Sequence, residues 1–477
     1  MMRRLSATLF VGTAGCGGLL HSVEEAPEPP IIVPEAWRGE ASSTSPSDAR
    51  WWESFEDPRL DALLRKAFQQ NLDLYQAFAR LRQADAAVRG ARSGFFPTIS
   101  GDANGGRSKT VVNFGQGPVG FSQDQFGLTA AASYEIDLWG RVAQGYGASR
   151  KDRVAAEADV SAAAMTLAAR VTDTYLELIE QRQTLKLLEA QIESSKTFLE
   201  LLELRFDQGV SGGLDVFQQR QQLASTRALR PPVRARLAVL EHQLAVLVGR
   251  APRSIDTDQA PTSLPTPPPL PELGVPAAVL LQRPDVQAAQ ARLVAEDHRI
   301  GVAIAERFPR VSLDASTGFR AFDLSDLFQQ FVWSVGSSIT AVVYDGGRLS
   351  SQVEGQRARF DELLGVYGQT VLVALREVQD ALAQEAQQQE LLVDLEEQRI
   401  AAEGALQEAR IRYGNGLSDY LPVLTALTAT QTAERSLVTA KRQLLSFRVE
   451  LYRALGGTWT EGLKTPRLPG EENGETS

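Results

Sequence analysis

Side chains that commonly perform catalysis or bind metals are scarce in this sequence. The 477 residues include three histidines and one cysteine. His242 and His298 lie in helical patterns without a second ligand four residues away, which favours surface or packing roles over zinc binding. GQGPVG (115–120) fits the spacing of a dinucleotide-binding loop, but it contains proline and begins no recognisable helix, so we interpret it as a loop between strands. We therefore expect no enzyme activity, no cofactor and no metal.

The single cysteine, Cys16, follows a segment with its own chemistry. Residues 1–15 combine two arginines, a short apolar run and small residues, the pattern of a secretory signal peptide. A cysteine directly after them looks like a bacterial lipoprotein signal, in which Cys16 carries the lipid (palmitate), although Thr13 replaces the usual leucine. Gly18 fits sorting to the outer membrane. The alternatives are an ordinary secreted chain and a chance cysteine near the start of the sequence.

Charge and hydropathy exclude two further classes of protein. The net charge is −10 and the pI is near 5.2. Nucleic-acid binding needs a basic face, so we expect no nucleic-acid partner. After the signal segment there is no run of about 18 apolar residues, so the sequence predicts no transmembrane helix.

Much of the sequence consists of an internal repeat. RFDQGVSGGLDV (205–216) and RYGNGLSDYLPV (412–423) repeat Arg, an aromatic, Gly, Leu and Val, with starts 207 residues apart. DLWGR (137–141) likewise matches YDGGR (344–348). Two halves therefore share one plan, joined by the Pro-rich segment 261–276.

Each half contains a segment with the period of a β-strand. Alternate residues are apolar in FGLTAAASYEIDL (126–138) and nearly so in WSVGSSITAVV (333–343). Earlier partner strands are expected to begin at Thr98 and Arg310, directly after Phe-Pro pairs. The sequence thus predicts four strands.

Long helices follow the strands. From about Arg150 to Gln208 there is neither proline nor glycine, and a helix of that length would be about 90 Å long. An apolar residue recurs every seventh position, which predicts a helix–helix seam: Val171, Leu178, Leu185, Ile192, Leu199 and Phe206. The second copy runs from about Leu349 to Tyr413.

The repeated segments are expected to be the tips of two antiparallel hairpins. Gly209 and Gly416 end the outgoing helices, and Gly212 and Gly213 also lie at the first tip. Pro231-Pro232 in the first returning helix predicts a kink or break.

Four alternating strands of about 10 residues are long enough to cross a bilayer but too few to close on themselves. Unpaired edges in hydrocarbon cost several kcal/mol per group, so we expect the strands to pair with other protomers. The alternative is a non-pore structural lipoprotein with a coiled-coil stalk.

These motifs carry a family resemblance. YEIDLWGR (134–141), RPDVQAAQARL (283–293), YDGGR and RYGNGL resemble the TolC family of outer-membrane efflux channels. Cys16 and WWESFEDPRLDALLRKAFQQNLDL (51–74) resemble its OprM/NodT-type lipoprotein branch. The resemblance implies a mainly α fold with a small β part: long antiparallel coiled-coil hairpins plus four transmembrane β-strands per chain, in a trimeric α/β barrel built from two internal repeats.

The resemblance also implies function, partners and location. Such homotrimers are outer-membrane channels of tripartite efflux systems that export drugs, metals or small solutes. They work with a periplasmic adaptor (membrane fusion) protein and an inner-membrane pump, here expected to be RND-type. We expect this chain in the outer membrane lipid, anchored at Cys16 and extending into the periplasm.

The resemblance places the periplasmic aperture at the helical tips. By position, Asp215 and Tyr413 match an aspartate and a tyrosine that link neighbouring helix pairs in the family. Asp419 is a candidate acidic residue, because Pro422 and Thr425 occupy positions where acids are expected and Ser418 replaces an arginine. Asp215 would equally suit a helix N-terminus.

The predicted organisation has six segments. They are a signal peptide (1–15), a lipid-anchored Pro/Ser-rich leader (16–50), a first repeat with its tip near 209–213 (51–260), a Pro-rich linker (261–276), a second repeat with its tip near 414–420 (277–457), and a disordered C-terminal tail (458–477).

Overall fold

The computed structural model describes residues 20–25, 27–34, 36–37, 50–113, 115, 117–252, 261–271, 276–460 and 462–467. The signal peptide, Cys16, residues 38–49 of the leader and the tail from residue 468 lie outside the described residues. The chain forms two compact units. One contains Leu81–Glu157 and Ala288–Gly368 with the chain before Ile31, and the other contains Ile31–Arg80, Ala158–Gln287 and the chain from Gln369 onward.

Helices make up most of the described chain. In order, the elements are α1 (Pro58–Gln70), α2 (Leu72–Ser93), β1 (Thr98–Asn113), β2 (Pro118–Ile136), α3 (Arg141–Asp207), α4 (Gly213–Ala228), α5 (Arg230–Leu247), α6 (Pro276–Gln282), α7 (Pro284–Ala305), β3 (Arg310–Ala321), β4 (Phe331–Thr340), α8 (Arg348–Gly414) and α9 (Leu421–Leu455). The predicted mainly helical fold with a small sheet is confirmed. Helices α3 and α8 each contain 67 residues.

The four predicted strands form one antiparallel sheet in the order β1-β2-β3-β4. Strands β1 and β3 begin at Thr98 and Arg310, as predicted. The prediction that the last strand continues to Val343 is wrong, because β4 ends at Thr340. Thr340 pairs with Arg310, the first residue of β3, so the residues after Thr340 have no partner in that strand. The chain then turns through Gly346 and Gly347, both with positive φ.

The repeated motifs between strand and helix hold the ends of these elements. The Trp139 indole donates to the Pro309 carbonyl at 2.7 Å and its ring stacks on Phe308. Arg141 makes a bidentate ion pair with Glu135, at 2.9 and 2.7 Å.

In the second copy, Asp345 accepts from the Gly347 and Leu349 amides, which caps the start of α8. GQGPVG lies at the β1–β2 connection, where Asn113 pairs with Pro118.

The RPDV motif joins α7 to the end of α9. Arg283 is buried and donates to the Ala454 carbonyl at 2.8 Å, to Asp285 at 2.7 Å and to Glu377 at 2.8 Å. Trp37 of the leader packs into the adjacent apolar cluster, a contact for which the Pro-rich sequence gave no signal. The linker is held as well: buried Arg448 pairs with buried Glu385 and hydrogen-bonds the Pro268 carbonyl.

The predicted interruption at Pro231-Pro232 is present, because α4 and α5 are separate helices divided at Leu229. The predicted heptad seam holds only in part. Val171 and Leu178 are fully buried, but Phe206 is 49% exposed and the three heptad residues between Leu178 and Phe206 are half-buried. Farther along α3 the buried stripe passes instead through Leu188, Ser195 and Leu202. Among the helices described, none has the length and apolar content needed to cross a membrane.

Candidate functional site

The strand register divides the sheet into two chemically different faces. Residues paired across an antiparallel sheet point to the same side, and neighbours along a strand alternate. One face carries mainly apolar side chains: Ile99, Ala103, Phe126, Leu128, Ala130, Ala132, Tyr134, Ile136, Val311, Leu313, Ala315, Phe319, Phe331, Trp333, Val335 and Ile339. From Phe126 to Ile136 this face spans 11 residues of β2, within the roughly 9–11 residues that a tilted strand uses to cross hydrocarbon.

The opposite face is polar and hydrogen-bonded. Ser312 pairs with Ser338 and Ser316 with Ser334, each at 2.8 Å, and the Ser133 hydroxyl donates to Asp314 at 2.8 Å. A sheet with one apolar and one hydroxyl-lined face suits a wall between lipid and water.

The apolar face and both edges of the sheet are uncovered within one chain. Trp333 and Val335 are 71% and 75% exposed, and every residue of β1 and β4 is exposed. In the described part of the chain, β1 and β4 each have a single neighbouring strand, so their outer backbone groups face no strand of this chain. Edge groups of this kind favour pairing with another chain.

The two hairpin tips have the same backbone geometry. At the first tip the Val210 amide donates to Arg205 at 2.8 Å and Gly209 to Phe206 at 2.9 Å. At the second tip Leu417 donates to Arg412 at 2.8 Å and Gly416 to Tyr413 at 3.1 Å. Both sets form a Schellman cap, in which Gly209 and Gly416 take φ of 73° and 69°.

Other predicted tip residues surround these caps. Gly212 is the N-cap of α4 and provides no side chain, which leaves Asp215 in the first helical turn, where a carboxylate also suits the helix dipole. Gly213 begins α4, and a Cβ there would lie 3.5 Å from the Phe206 ring.

Tyr413 and Asp215 lie together in one chain. The Tyr413 hydroxyl donates to Asp215 Oδ2 at 3.2 Å, joining α8 to α4, and the Arg205 guanidinium lies 4.9 Å from the tyrosine ring centre. Burial, followed by the nearby Asp215 carboxylate, raises the pKa of Tyr413 above its ordinary value. Tyr413 therefore remains a neutral donor at physiological pH.

The remaining predicted positions are not part of this contact. Asp419 is exposed in the second tip. Pro422 and Thr425 are exposed in the first turns of α9, where the Thr425 hydroxyl donates to the Leu421 carbonyl at 2.9 Å. The Ser418 Oγ is buried without a hydrogen-bond partner among the described residues.

Sequence reasoning missed the interior of the tip. Tyr420, at the start of α9, is 1% exposed, and its hydroxyl donates to Gln219 Oε1 at 2.5 Å. Its ring meets Tyr413 edge to face at 5.4 Å and stacks on Phe198 at 6.0 Å. A glutamine in a helix is usually exposed, so Gln219 carried no signal in the sequence.

Apolar side chains are also exposed at both tips. Val210, Leu214 and Phe217 of the first hairpin are each more than half exposed, as are Leu417 and Leu421 of the second. Clustered exposed apolar residues of this kind mark interaction surfaces.

The described contacts of the histidines considered as ligands do not point to a metal. His298 Nδ1 lies 2.6 Å from Gln144 Oε1, and burial lowers the pKa of His298. No group of three or more His, Cys, Asp or Glu side chains within the described ranges is arranged to hold a metal ion.

Comparison with known proteins identifies relatives over nearly the whole chain. Residues 63–250 and 275–457 match the family model described as outer membrane efflux protein. The chain is 28% identical over 463 residues to the pyoverdine export outer membrane protein OpmQ of Pseudomonas aeruginosa, covering 95% of this chain and 96% of the relative. It is 30% identical to the solvent efflux pump outer membrane protein SrpC of Pseudomonas putida, covering 86% and 87%. The structure of the outer-membrane channel OprN is 33% identical and aligns with a TM-score of 0.83 over 91% of this chain and 99% of that one.

Proposed function

This chain belongs to the outer membrane efflux protein family, and from that premise we propose that it forms a trimeric duct through the outer membrane. In this proposal the duct is the outer component of a tripartite system that includes a periplasmic adaptor protein and an inner-membrane pump of the RND type. The chain itself catalyses no reaction and provides a path for solutes.

The sheet is the observation that carries the proposal. In a single chain this sheet is unstable in either solvent. Water would be in contact with the apolar face, and lipid would leave the backbone groups of the two edges without hydrogen-bond partners. Three copies of a four-stranded sheet supply twelve strands, which can close with the apolar face toward lipid and the hydroxyl-lined face toward a lumen. Closure removes both edges at once.

The N-terminal segment supports anchoring in the same membrane. Cys16, lipidated as the first mature residue, would hold the chain to the inner leaflet of the outer membrane. His21, five residues later, is held by the fold, because its imidazole lies 2.6 Å from Asp297 Oδ1.

The relatives guide the choice of cargo. Two are named for export of pyoverdine and of solvents, so we propose that this duct carries small solutes such as these, drugs or metals. The exposed apolar tips suit docking to the adaptor. Asp215, Tyr413 and Asp419 would form the periplasmic aperture, closed by the Tyr413–Asp215 contact.

Single-channel conductance in planar lipid bilayers, with the oligomeric mass measured alongside, tests this proposal. We expect a trimer that opens rarely, and Asp215→Ala is expected to open it more often. Asp207→Ala is the matched control, because it removes the same charge from the exposed end of α3. A trimer that never conducts, with either variant, would favour the non-pore structural lipoprotein with a coiled-coil stalk.

A further inference from the structure

Within the described residues, two tyrosine hydroxyls of the second hairpin (α8 and α9) reach the first hairpin (α3 and α4). We infer that the contact of Tyr420 with Gln219 is a second closing contact of the tip, and that it holds the two hairpins together more strongly than Tyr413 and Asp215 do. This inference rests on the proposed function, because a tip that closes a duct is part of it.

The two contacts differ in distance and in access to water. The Tyr413 hydroxyl lies 3.2 Å from Asp215, which is half-buried near the surface of the first tip. The Tyr420 hydroxyl lies 2.5 Å from the Gln219 oxygen, and both residues are almost completely buried. Water can replace the partner at the first contact as the hairpins separate. At the second contact, a broken bond leaves a buried donor and a buried acceptor unpaired until water enters.

Gln219 is fixed in position by the nitrogen end of its side-chain amide. Its Nε2 donates to the Ser195 carbonyl of α3 at 2.7 Å, so the side chain uses both ends and cannot rotate without losing a bond. The Tyr420 bond therefore connects α9 to α3 through α4.

A network of polar side chains continues this connection along the helices. It consists of the buried Gln191, Ser195 and Gln431 and the half-buried Gln222. Gln431 donates to Ser195 Oγ at 3.3 Å and accepts from Gln222 at 3.1 Å, and Gln191 donates to the Gln431 carbonyl at 3.3 Å. Satisfied polar networks in a low-dielectric interior favour one arrangement of the helices. Movement of α9 away from the first hairpin must therefore break this network as well as the Tyr420 bond.

The experiment compares the open fraction of purified trimers in planar bilayers. Tyr420→Phe and Gln219→Leu each remove one partner of the buried bond, and Tyr413→Phe removes the outer one. Tyr175→Phe is the matched control, since Tyr175 is a buried tyrosine of α3 whose hydroxyl donates to Asp57 at 2.7 Å, outside the tip.

We expect Tyr420→Phe to raise the open fraction by about fivefold or more, and by more than Tyr413→Phe does, with Tyr175→Phe unchanged. Gln219→Leu is expected to have an equal or larger effect, because it also removes the bond to the Ser195 carbonyl. The double variant Tyr420→Phe/Gln219→Leu should open no further than the more open of its two single variants, because both changes break the same bond. If Tyr420→Phe fails to assemble, Gln219→Leu alone decides the question.

Three outcomes would overturn the inference. Tyr420→Phe and Gln219→Leu trimers that conduct like Tyr175→Phe, while Asp215→Ala opens the channel, would show that Tyr420 only packs. Full additivity of the two changes would mean that they do not share one contact. If no trimer conducts, Asp215→Ala included, the proposed duct itself fails and this inference fails with it.

Discussion

At the helical tips, Tyr420 and Gln219 are 1% and 0% exposed and bond to each other, whereas in the sheet Trp333 and Val335 are 71% and 75% exposed. The tip buries polar groups and pairs them within one chain. The sheet differs, because a whole apolar face and both strand edges are uncovered within one chain. The contrast separates two requirements: one region pairs its polar groups within a single chain, and the other leaves a surface that, under the proposed function, lipid and further copies of the chain would cover.

This contrast predicts different responses to mutation. Changes in the tip should act on a single chain and remain local. Changes in the sheet should act on membrane insertion and assembly, and their cost should depend on which face they alter.

The largest effect is expected in the apolar core of the tip. Leu202 is fully buried there between α3, α4, α8 and α9. Leu202→Ala is expected to reduce the local free energy of opening by about 2–5 kcal/mol through lost contacts and a cavity. Hydrogen exchange of tip amides measures this, with exposed Leu204→Ala as the control. Equal protection in the two variants would contradict a self-sufficient tip.

A charge on the apolar face of the sheet should cost nearly as much. Val335→Arg is expected to destabilise the inserted protein by about 2–4 kcal/mol, because arginine would face hydrocarbon. Ser338→Arg, on the polar face of the same strand, is the matched control. Urea unfolding in lipid vesicles, followed by intrinsic fluorescence, compares them. If Ser338→Arg were the more damaging, the two faces would be assigned the wrong way round.

The cap glycines should show a smaller effect. Gly416 has φ of 69°, so Gly416→Ala is expected to cost about 1–2 kcal/mol. Gly404 lies exposed within α8 with no atom near its Cβ position, so Gly404→Ala is expected to stabilise the helix by about 0.5–1 kcal/mol. Thermal unfolding of both variants measures the difference, and effects of the same sign would argue against the cap geometry.

The smallest effect is expected from pH. The pKa of Tyr413 is raised above the ordinary tyrosine value of 10.0, so the folded tip binds the Tyr413 phenolic proton more tightly than the unfolded chain does. This stabilisation is complete below pH 10 and is lost as pH rises through the raised pKa. Conductance should therefore increase above pH 10 in the native protein. Tyr413→Phe should show less of this increase; an identical pH profile would remove Tyr413 from the explanation.

The periodic parts of the fold were predictable from sequence. Strand starts at Thr98 and Arg310, the one-sided apolar pattern and helix ends near Gly209 and Gly416 all follow from local rules of alternation and capping. The heptad pattern of α3 was predicted as one seam, yet Phe206 is exposed and Ser195 is buried. Periodicity shows that a stripe is apolar, but it does not say which neighbour covers it.

The interior of the tip could not be predicted by the same rules. Gln219 and Gln431 are buried because their amides meet partners distant in sequence, such as Tyr420. Pairing of this kind has no period and no preferred spacing. By contrast, the Tyr413–Asp215 pair came from matching positions in a family, and its role in closing a duct stays a prediction.

The paired residues at the tips have a genetic consequence. Tyr413 occupies the position equivalent to Phe206, and Asp215 the position equivalent to Pro422, 207 residues apart in each case. The donor therefore exists in one copy of the repeated segment and the acceptor in the other. In an ancestor with one unduplicated unit, equivalent positions held the same residue at every tip, so the present arrangement, with the donor in one copy and the acceptor in the other, arose as the two copies diverged. Gene conversion that made the two segments identical again would erase it.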